Sequence, residues 1–273
     1  METRDRKQGA VVRRIRPEGI VPLELWDLRV GDGILWDWAA RDDFGGVLRR
    51  ALGMLHAGGG ATRSEGPVPP CVRGFSGVYL TGGGAARLAP GFEGAPWPVW
   101  FGSEGAHAAE PGGRALLAGQ GYDGWVVDLG QTSLKVFAGG RRWAFPRDYE
   151  VLPVRRDDRV PLDDQRESLR RFIGDALRRC LEEGAPGPDA IVLALPSRLD
   201  DRGVPGGSSY HGMGGDDRLV SDACLRAGLP PLTVFVLNDA ELAAMTARLD
   251  RRRQGRTLVL TIGFGVGAAL IES

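Results

Sequence analysis

Four short segments carry residue types at spacings that could do chemistry. The run Asp128-Leu-Gly-Gln-Thr-Ser-Leu-Lys135 ends an apolar stretch with a carboxylate, then supplies small residues whose backbone N–H groups can approach an anion. In that role Asp128 would hold Mg²⁺, directly or through water, while Gly130, Gln131 and Thr132 cradle a phosphate. A polar hairpin turn is the competing explanation, and for this segment alone it is the stronger one. Lys135 would lie either near the phosphate or at a strand edge. The run Thr261-Ile-Gly-Phe-Gly-Val-Gly267 also follows an apolar stretch, and Gly263, Gly265 and Gly267 suit either a phosphate loop or a bulged hairpin. In Leu80-Thr-Gly-Gly-Gly-Ala85, Gly82, Gly83 and Gly84 either clear side chains from a flat or anionic ligand or form a plain strand-to-helix loop. Asn238-Asp239 stands where an apolar strand gives way to a helix. There an aspartate is a good N-cap, and it is also where a general base faces the ligand crevice of an open α/β sheet. The cap is the better local explanation of Asp239; the four segments together favour a ligand site.

The elements around these segments follow from periodicity. Residues 124–145 read as a strand, a glycine-bearing turn and a second strand. From 163 to 183 apolar residues recur at helical spacing until Gly184 and Pro186. Residues 189–196 and 233–239 are continuous apolar strands, the pattern of a sheet buried on both faces. Between them lie the loop 204–215, whose Ser208, Ser209 and His211 would meet a substrate and become ordered on its binding, and a helix over 216–228. A helix over 240–253 precedes a strand, turn and strand over 257–273. Earlier in the chain, 43–56 reads as a helix, 77–88 as a strand entering a glycine turn and helix, 97–102 as a strand, and 104–119 as a helix broken at Pro111. His56 and His107 are read as structural. Strands alternating with helices, without a short repeat, indicate an α/β architecture with largely parallel sheets.

Composition narrows the partners. The chain has 273 residues, is 42% hydrophobic, and balances 35 Lys+Arg against 35 Asp+Glu, so no single-sign field invites nucleic acid or a membrane surface. A small-molecule partner is expected. Lys7 and Lys135 are the lysines of a chain whose positive charge is otherwise arginine. Cys71, Cys180 and Cys224 form no CxxC pair or disulfide framework, which fits a reducing cytoplasm. No apolar run has the roughly 18 residues of a spanning helix, and the polar start METRDRKQG does not read as a signal peptide.

Taken together the segments resemble the sugar kinase, heat-shock protein 70 and actin superfamily, and most closely the ROK family of sugar kinases. DLGQTSLK is similar to that superfamily's first phosphate motif, TIGFGVGAALIES to its second and LTGGGA to its adenosine motif. VLNDAELAA is similar to the ROK segment in which an Asn and an Asp bind the sugar and the Asp is the base. The resemblance implies a two-lobed, ribonuclease H-like α/β fold. The motif order is rotated, with the adenosine motif ahead of Asp128, so the resemblance implies a circular permutation in which joining 273 to about 9 restores the usual order. Residues 9–28 then supply the return strand of the hairpin and the sugar-binding E-x-G-H segment. The expected lobes are 1–119 with 254–273, and 120–253.

By this resemblance the chain would transfer the γ-phosphate of ATP, with Mg²⁺, to a hydroxyl of a sugar or sugar-like molecule. Asp239 would be the base, and Asn238, Glu24, Asp27 and Asp37 would bind substrate. The family's Gly and His become Trp26 and Asp27, and Phe264 stands where a Thr is usual. Asp37 corresponds loosely to a later sugar-binding Glu, an arrangement nearest to polyphosphate glucokinase-like members, so the donor stays open between ATP and polyphosphate. Trp26, Trp36 and Trp38 are core residues or the walls of a stacking pocket. The family's CGCG zinc cluster is absent, so no zinc is expected; homodimers are usual in the family. The alternatives are a catalytically weak nucleotide or sugar sensor of the same fold, and an actin-like ATPase.

Overall fold

The computed structural model describes residues 9–25, 28–30, 33–35, 42–57, 62–63, 66–67, 73–154, 159–263 and 265–273, with 33, 34, 62, 63, 66 and 67 as backbone alone. Trp26, Asp27, Trp36, Asp37, Trp38, Cys71 and Phe264 lie outside the described residues.

In chain order the first strands are β1 (Val11–Arg14), β2 (Ile20–Leu23), β3 (Arg29–Val30) and β4 (Gly33–Ile34), followed by helix α1 (Phe44–His56). Then come β5 (Thr62–Arg63), β6 (Gly66–Pro67), β7 (Gly77–Thr81) and β8 (Val99–Phe101), with a 3₁₀ segment, Ala85–Phe92, between the last two. Helix α2 (Ala109–Gly119) leads into β9 (Gly124–Leu129), β10 (Ser133–Ala138) and β11 (Arg141–Pro146). The remainder is α3 (Leu162–Glu182), β12 (Ala190–Leu195), α4 (Leu219–Arg226), β13 (Thr233–Asn238), α5 (Asp239–Leu249), β14 (Thr257–Ile262) and β15 (Val266–Ile271).

The chain divides into two compact units: the described residues up to Ile15 with Gly113–Asn238, and Arg16–Gly112 with Asp239–Ser273. The division places 239–253 with the second unit. The physical reason is the alanine face of α5: Ala240, Ala243, Ala244 and Ala247 are buried against Ile20, Tyr79, Val259, Ala269 and Ile271. Small side chains at i, i+3, i+4 and i+7 let a helix lie close on a sheet.

The first unit is built on a six-stranded sheet in the order β1-β13-β12-β9-β10-β11. Strands β9, β10 and β11 are antiparallel neighbours, and β9, β12, β13 and β1 run parallel. Alternation along β9 sends Trp125, Val127 and Leu129 into a core shared with Leu169, Ile173 and Leu177 of α3 and Val220 and Ala223 of α4. Val126 and Asp128 therefore face the other side, where a Cβ on Gly113 of α2 would lie 2.5 Å from Val126. Helix α3 carries Asp163 and Asp164 in its first turn, which suits the positive helix N-terminus, and stops before Gly184 at φ +86°.

The second unit is built on a five-stranded sheet in the order β2-β15-β14-β7-β8. Here β14, β15 and β2 are antiparallel neighbours, while β14, β7 and β8 run parallel. Each sheet thus has a central strand flanked by two antiparallel strands on one side and two parallel strands on the other. The first adds β1, and the strands of the second follow one another along the chain as β2, β7, β8, β14 and β15.

Three local expectations are corrected. The return strand of the β14–β15 hairpin is β2, beginning at Ile20 opposite Ile271, whereas β1 pairs with β13. Pro17 and Gly19, at φ +65°, interrupt the backbone between them. Pro111 does not break 104–119: a 3₁₀ turn, Gly105–His107, precedes α2, and Pro111 lies in the first turn of α2, where a missing N–H costs nothing. Lys135 is not at a strand edge, because β10 has β9 on one side and β11 on the other. Among the described residues no helix is long and apolar enough to cross a membrane.

Candidate functional site

In the first unit, parallel register brings the carboxyl ends of three strands to one edge of the sheet. Asp128 is level with Ala194, and Leu195 is level with Asn238. Across the hairpin Asp128 is opposite Lys135, on the same face. The ammonium lies 3.1 Å from Asp128 Oδ2, with the two side chains 18% and 13% exposed. A Cβ on Gly130 would lie 3.7 Å from Lys135 Nζ, so the cation sits against the turn. Among the described residues Asp128 Oδ1 takes no hydrogen bond.

The turn after Asp128 is closed by Gly130 N–H donating to Ser133 O at 2.9 Å. Its carbonyls are drawn into the protein. Gly130 O accepts from the Tyr210 hydroxyl at 2.7 Å, Gln131 O from Arg147 Nη1 at 3.2 Å, and Thr132 O from the Arg147 backbone N–H at 2.8 Å. A trans peptide plane points the next N–H opposite to its carbonyl, and no peptide bond here is cis. The N–H groups of Gln131 and Thr132 thus face away from Tyr210 and Arg147, and among the described residues neither has a partner. Gln131 Oε1 is buried without a hydrogen bond among those residues.

Arg147 and Tyr210 were not legible as site residues. Arg147 is buried and stacks on the Tyr210 ring, 3.9 Å from its centroid. It also donates to Leu152 O at 2.6 Å, Pro153 O at 2.8 Å, Ser209 O at 2.7 Å and Ser209 Oγ at 2.9 Å. Burial lowers its pKa, and the neighbouring tyrosines oppose that shift. Burial likewise raises the Tyr210 phenol well above its usual range, so the hydroxyl stays a donor. In an arginine-rich chain nothing in the sequence singles out Arg147.

The same contacts account for the loop 204–215. Ser209 is held by Arg147, Ser208 Oγ accepts from Tyr210 N–H at 3.0 Å, and His211 Nε2 lies 2.7 Å from Val154 O. These three side chains are thus engaged within the unit. Asn238 Nδ2 donates to Ser197 O at 3.0 Å, which fixes its amide beside the end of β12.

In the second unit the glycine turns meet. Strands β7 and β14 pair Thr81 with Thr261, so both turns leave the same end of the sheet. Gly84 N–H donates to Ile262 O at 2.9 Å, and Gly82, at φ +92°, comes so close that a Cβ would lie 2.5 Å from that oxygen. Gly263 N–H donates to Gly265 O at 3.0 Å. Thr81 Oγ1 is buried without a hydrogen bond among the described residues. Asp239 opens α5 and its Oδ1 accepts from Ala240 N–H at 2.8 Å. That same oxygen would be 3.5 Å from a Cβ on Gly267, a position whose Cβ would also overlap Thr261 Oγ1. Gly267 therefore leaves space between the Thr261 hydroxyl and the Asp239 carboxylate. Glu24 follows β2, half-buried. His56, as expected, is structural, with its ring 4.9 Å from Phe75 and 5.3 Å from Trp97.

Among the described residues no three or more His, Cys, Asp or Glu side chains are grouped to hold a metal. Phosphate oxygens fit the first unit's turn, where two outward amides and an ammonium offer donors. A divalent ion fits less directly, since Asp128 Oδ2 already faces a cation and Oδ1 is left for it or for a bridging water.

No protein-family model matches the sequence, and the search of curated proteins gives no match. A solved structure similar in part is the inorganic polyphosphate/ATP-glucomannokinase from Arthrobacter sp. strain KM, with 20% sequence identity and a TM-score of 0.40 over 55% of this chain. The match spans 59% of that protein's chain, so the comparison reaches about three-fifths of its length.

Proposed function

We propose that the protein transfers a phosphoryl group from ATP or inorganic polyphosphate to a hydroxyl of a sugar or sugar-like molecule. The observation that carries this reading is the turn after Asp128. Its carbonyls are turned inward and its Gln131 and Thr132 amides outward, beside the Lys135 ammonium. Phosphoryl transfer asks a protein chiefly for positioning and charge neutralisation, and such a turn supplies both to phosphate oxygens.

In this reading Asp128, the turn 130–132 and Lys135 act toward phosphate, the turns 82–84 and 263–267 toward the nucleotide, Asn238 and Glu24 toward substrate, and Asp239 accepts the hydroxyl proton. Mg²⁺, when bound, would neutralise charge on the transferring phosphate, and Asp128 is the residue that would hold it, through Oδ1 or a water. The roles of Asp27 and Asp37 stay as the ROK resemblance implies them.

The fold side of the reading is a circularly permuted, ribonuclease H-like pair. It is supported by the matching order of the two sheets and by the ladder of β15 and β2, where Ile271 is opposite Ile20 and Glu272 N–H donates to Gly19 O at 2.8 Å. That approach brings the end of one strand to the start of the other, as a tight hairpin would.

The test is ³¹P NMR of the protein with Mg·ATP, or Mg·polyphosphate, and pooled sugars, aminosugars, cyclitols and nucleosides, with Asp239→Asn alongside. A new phosphomonoester signal that disappears in the variant is expected, with nucleotide binding retained. ATP that raises the melting temperature yet stays intact in every pool would instead make the protein a binding module.

A further inference from the structure

We propose that Arg147 and Tyr210 are positioning residues that set the anion-binding face of the 130–132 turn and fasten the loop 204–215 to it. The proposal rests on the reading that this turn takes a polyphosphate-type anion.

The argument begins with what a glycine-bearing turn does when left alone. Peptide planes in such a turn rotate readily, and each rotation exchanges an outward N–H for an outward carbonyl. An outward carbonyl repels phosphate, so the turn binds an anion well only if its planes are held. Here they are held from behind. The Tyr210 hydroxyl fixes the plane between Gly130 and Gln131, and Arg147 Nη1 fixes the one between Gln131 and Thr132. The Arg147 backbone N–H holds the next carbonyl.

Both residues are themselves held. Arg147 has acceptors on Leu152, Pro153 and Ser209, and its plane lies on the Tyr210 ring. Tyr210 is 1% exposed, and its own N–H is capped by Ser208 Oγ. A guanidinium offers five donors in a fixed fork, so one buried side chain can join three backbone segments where a lysine could not. Neither side chain faces solvent. Both act through the turn, which suits a role in positioning rather than in direct contact with ligand. A consequence is that the turn and the loop 204–215 share one support, so that displacing the loop would release the turn.

The test compares binding of Mg·ATP, tripolyphosphate and adenosine to wild type, Tyr210→Phe and Arg147→Lys, below the melting transition of each. Tyr210→Phe keeps the ring and the stacking and removes one hydrogen bond. It should weaken ATP and tripolyphosphate by about five- to tenfold, as expected for one lost buried hydrogen bond. Adenosine, which has no phosphate, should bind as before. A general loss of folding would lower all three together. Arg147→Lys should lose more phosphate affinity than Tyr210→Phe, because one ammonium cannot serve the same acceptors.

A measurement on wild type keeps the proposal open to refutation if the variants fold poorly. The amide signals of Gln131 and Thr132 should exchange with solvent quickly and become protected on adding tripolyphosphate. If wild type binds neither ATP nor tripolyphosphate, the reading of the turn as an anion site fails and the proposal with it. If wild type binds both and Tyr210→Phe binds them equally well, the positioning role alone is overturned.

Discussion

Lys135 Nζ lies 3.1 Å from Asp128 Oδ2, across a hairpin whose register places the two residues directly opposite one another. The pair is mostly withdrawn from water and stands at the mouth of the turn whose amides face outward. It gives the carboxylate a partner, and it sets an ammonium beside the turn.

The chain's two lysines make this pair unusually easy to follow. An amine-reactive acylating reagent should modify Lys7 and Lys135 at different rates, read by peptide mass spectrometry. Mg·ATP should slow acylation at Lys135 several-fold and leave Lys7 unchanged. Equal slowing at both, or at neither, would separate Lys135 from the phosphate site.

A double-mutant cycle measures what the pair contributes. Lys135→Met alone leaves a partly buried carboxylate without its cation and should destabilise the fold by about 1–3 kcal/mol. Asp128→Asn alone leaves the ammonium and should cost a similar amount. Together they should cost about 1 kcal/mol less than the sum, since the second change removes a partner already orphaned. Additive losses in urea denaturation would show that the two charges do not couple.

Gly267 should be intolerant of a side chain for a reason that can be reversed. A Cβ there would overlap Thr261 Oγ1 across the β14–β15 pair. Gly267→Ala is expected to cost about 1–3 kcal/mol, the range for overpacking a dense interior. Adding Thr261→Ala removes the obstructing hydroxyl and should restore part of that loss. A double variant no more stable than Gly267→Ala alone would locate the strain elsewhere.

Acid and base should act on one network in the second unit. Hydrogen bonds from Arg252 hold Asp250 below its ordinary 3.8, at about 2, while burial lifts the Tyr79 phenol to about 12, with Asp250 adding to that rise. A carboxylate depressed in the folded state gives stability that is present above pH 4 and lost as pH falls toward 2. A phenol raised in the folded state gives stability that is present below pH 10 and lost as pH rises toward 12. Asp250→Asn should flatten the acid limb of the melting-temperature profile and leave the alkaline limb in weakened form, because burial remains. An unchanged acid limb would sever Asp250 from the effect.

Much of the architecture was legible because it is local. The apolar runs at 124–129, 190–195, 233–238 and 257–262 are strands, and the 3.6-residue spacing from Leu169 to Leu181 is a helix. Gly184 ends that helix because only a residue without a Cβ adopts its positive φ without strain. The glycine turns after β7, β9 and β14 could be marked as places of close approach, and Asp128 as a carboxylate at a strand end.

Tertiary structure decided the rest, since it depends on which distant segments meet. Pairing of β2 with β15 and of β1 with β13 separates two strands that sequence alone ran together. The alanine face of α5 assigns Asp239 to the second unit, although it is bonded to Asn238 of the first. Register makes Lys135 the partner of Asp128. The outward aim of the Gln131 and Thr132 amides comes from Tyr210, 80 residues away, and from Arg147, 16 residues away. Periodicity reports how a segment repeats along itself; it carries no record of which carbonyl a buried guanidinium will reach once the chain has folded.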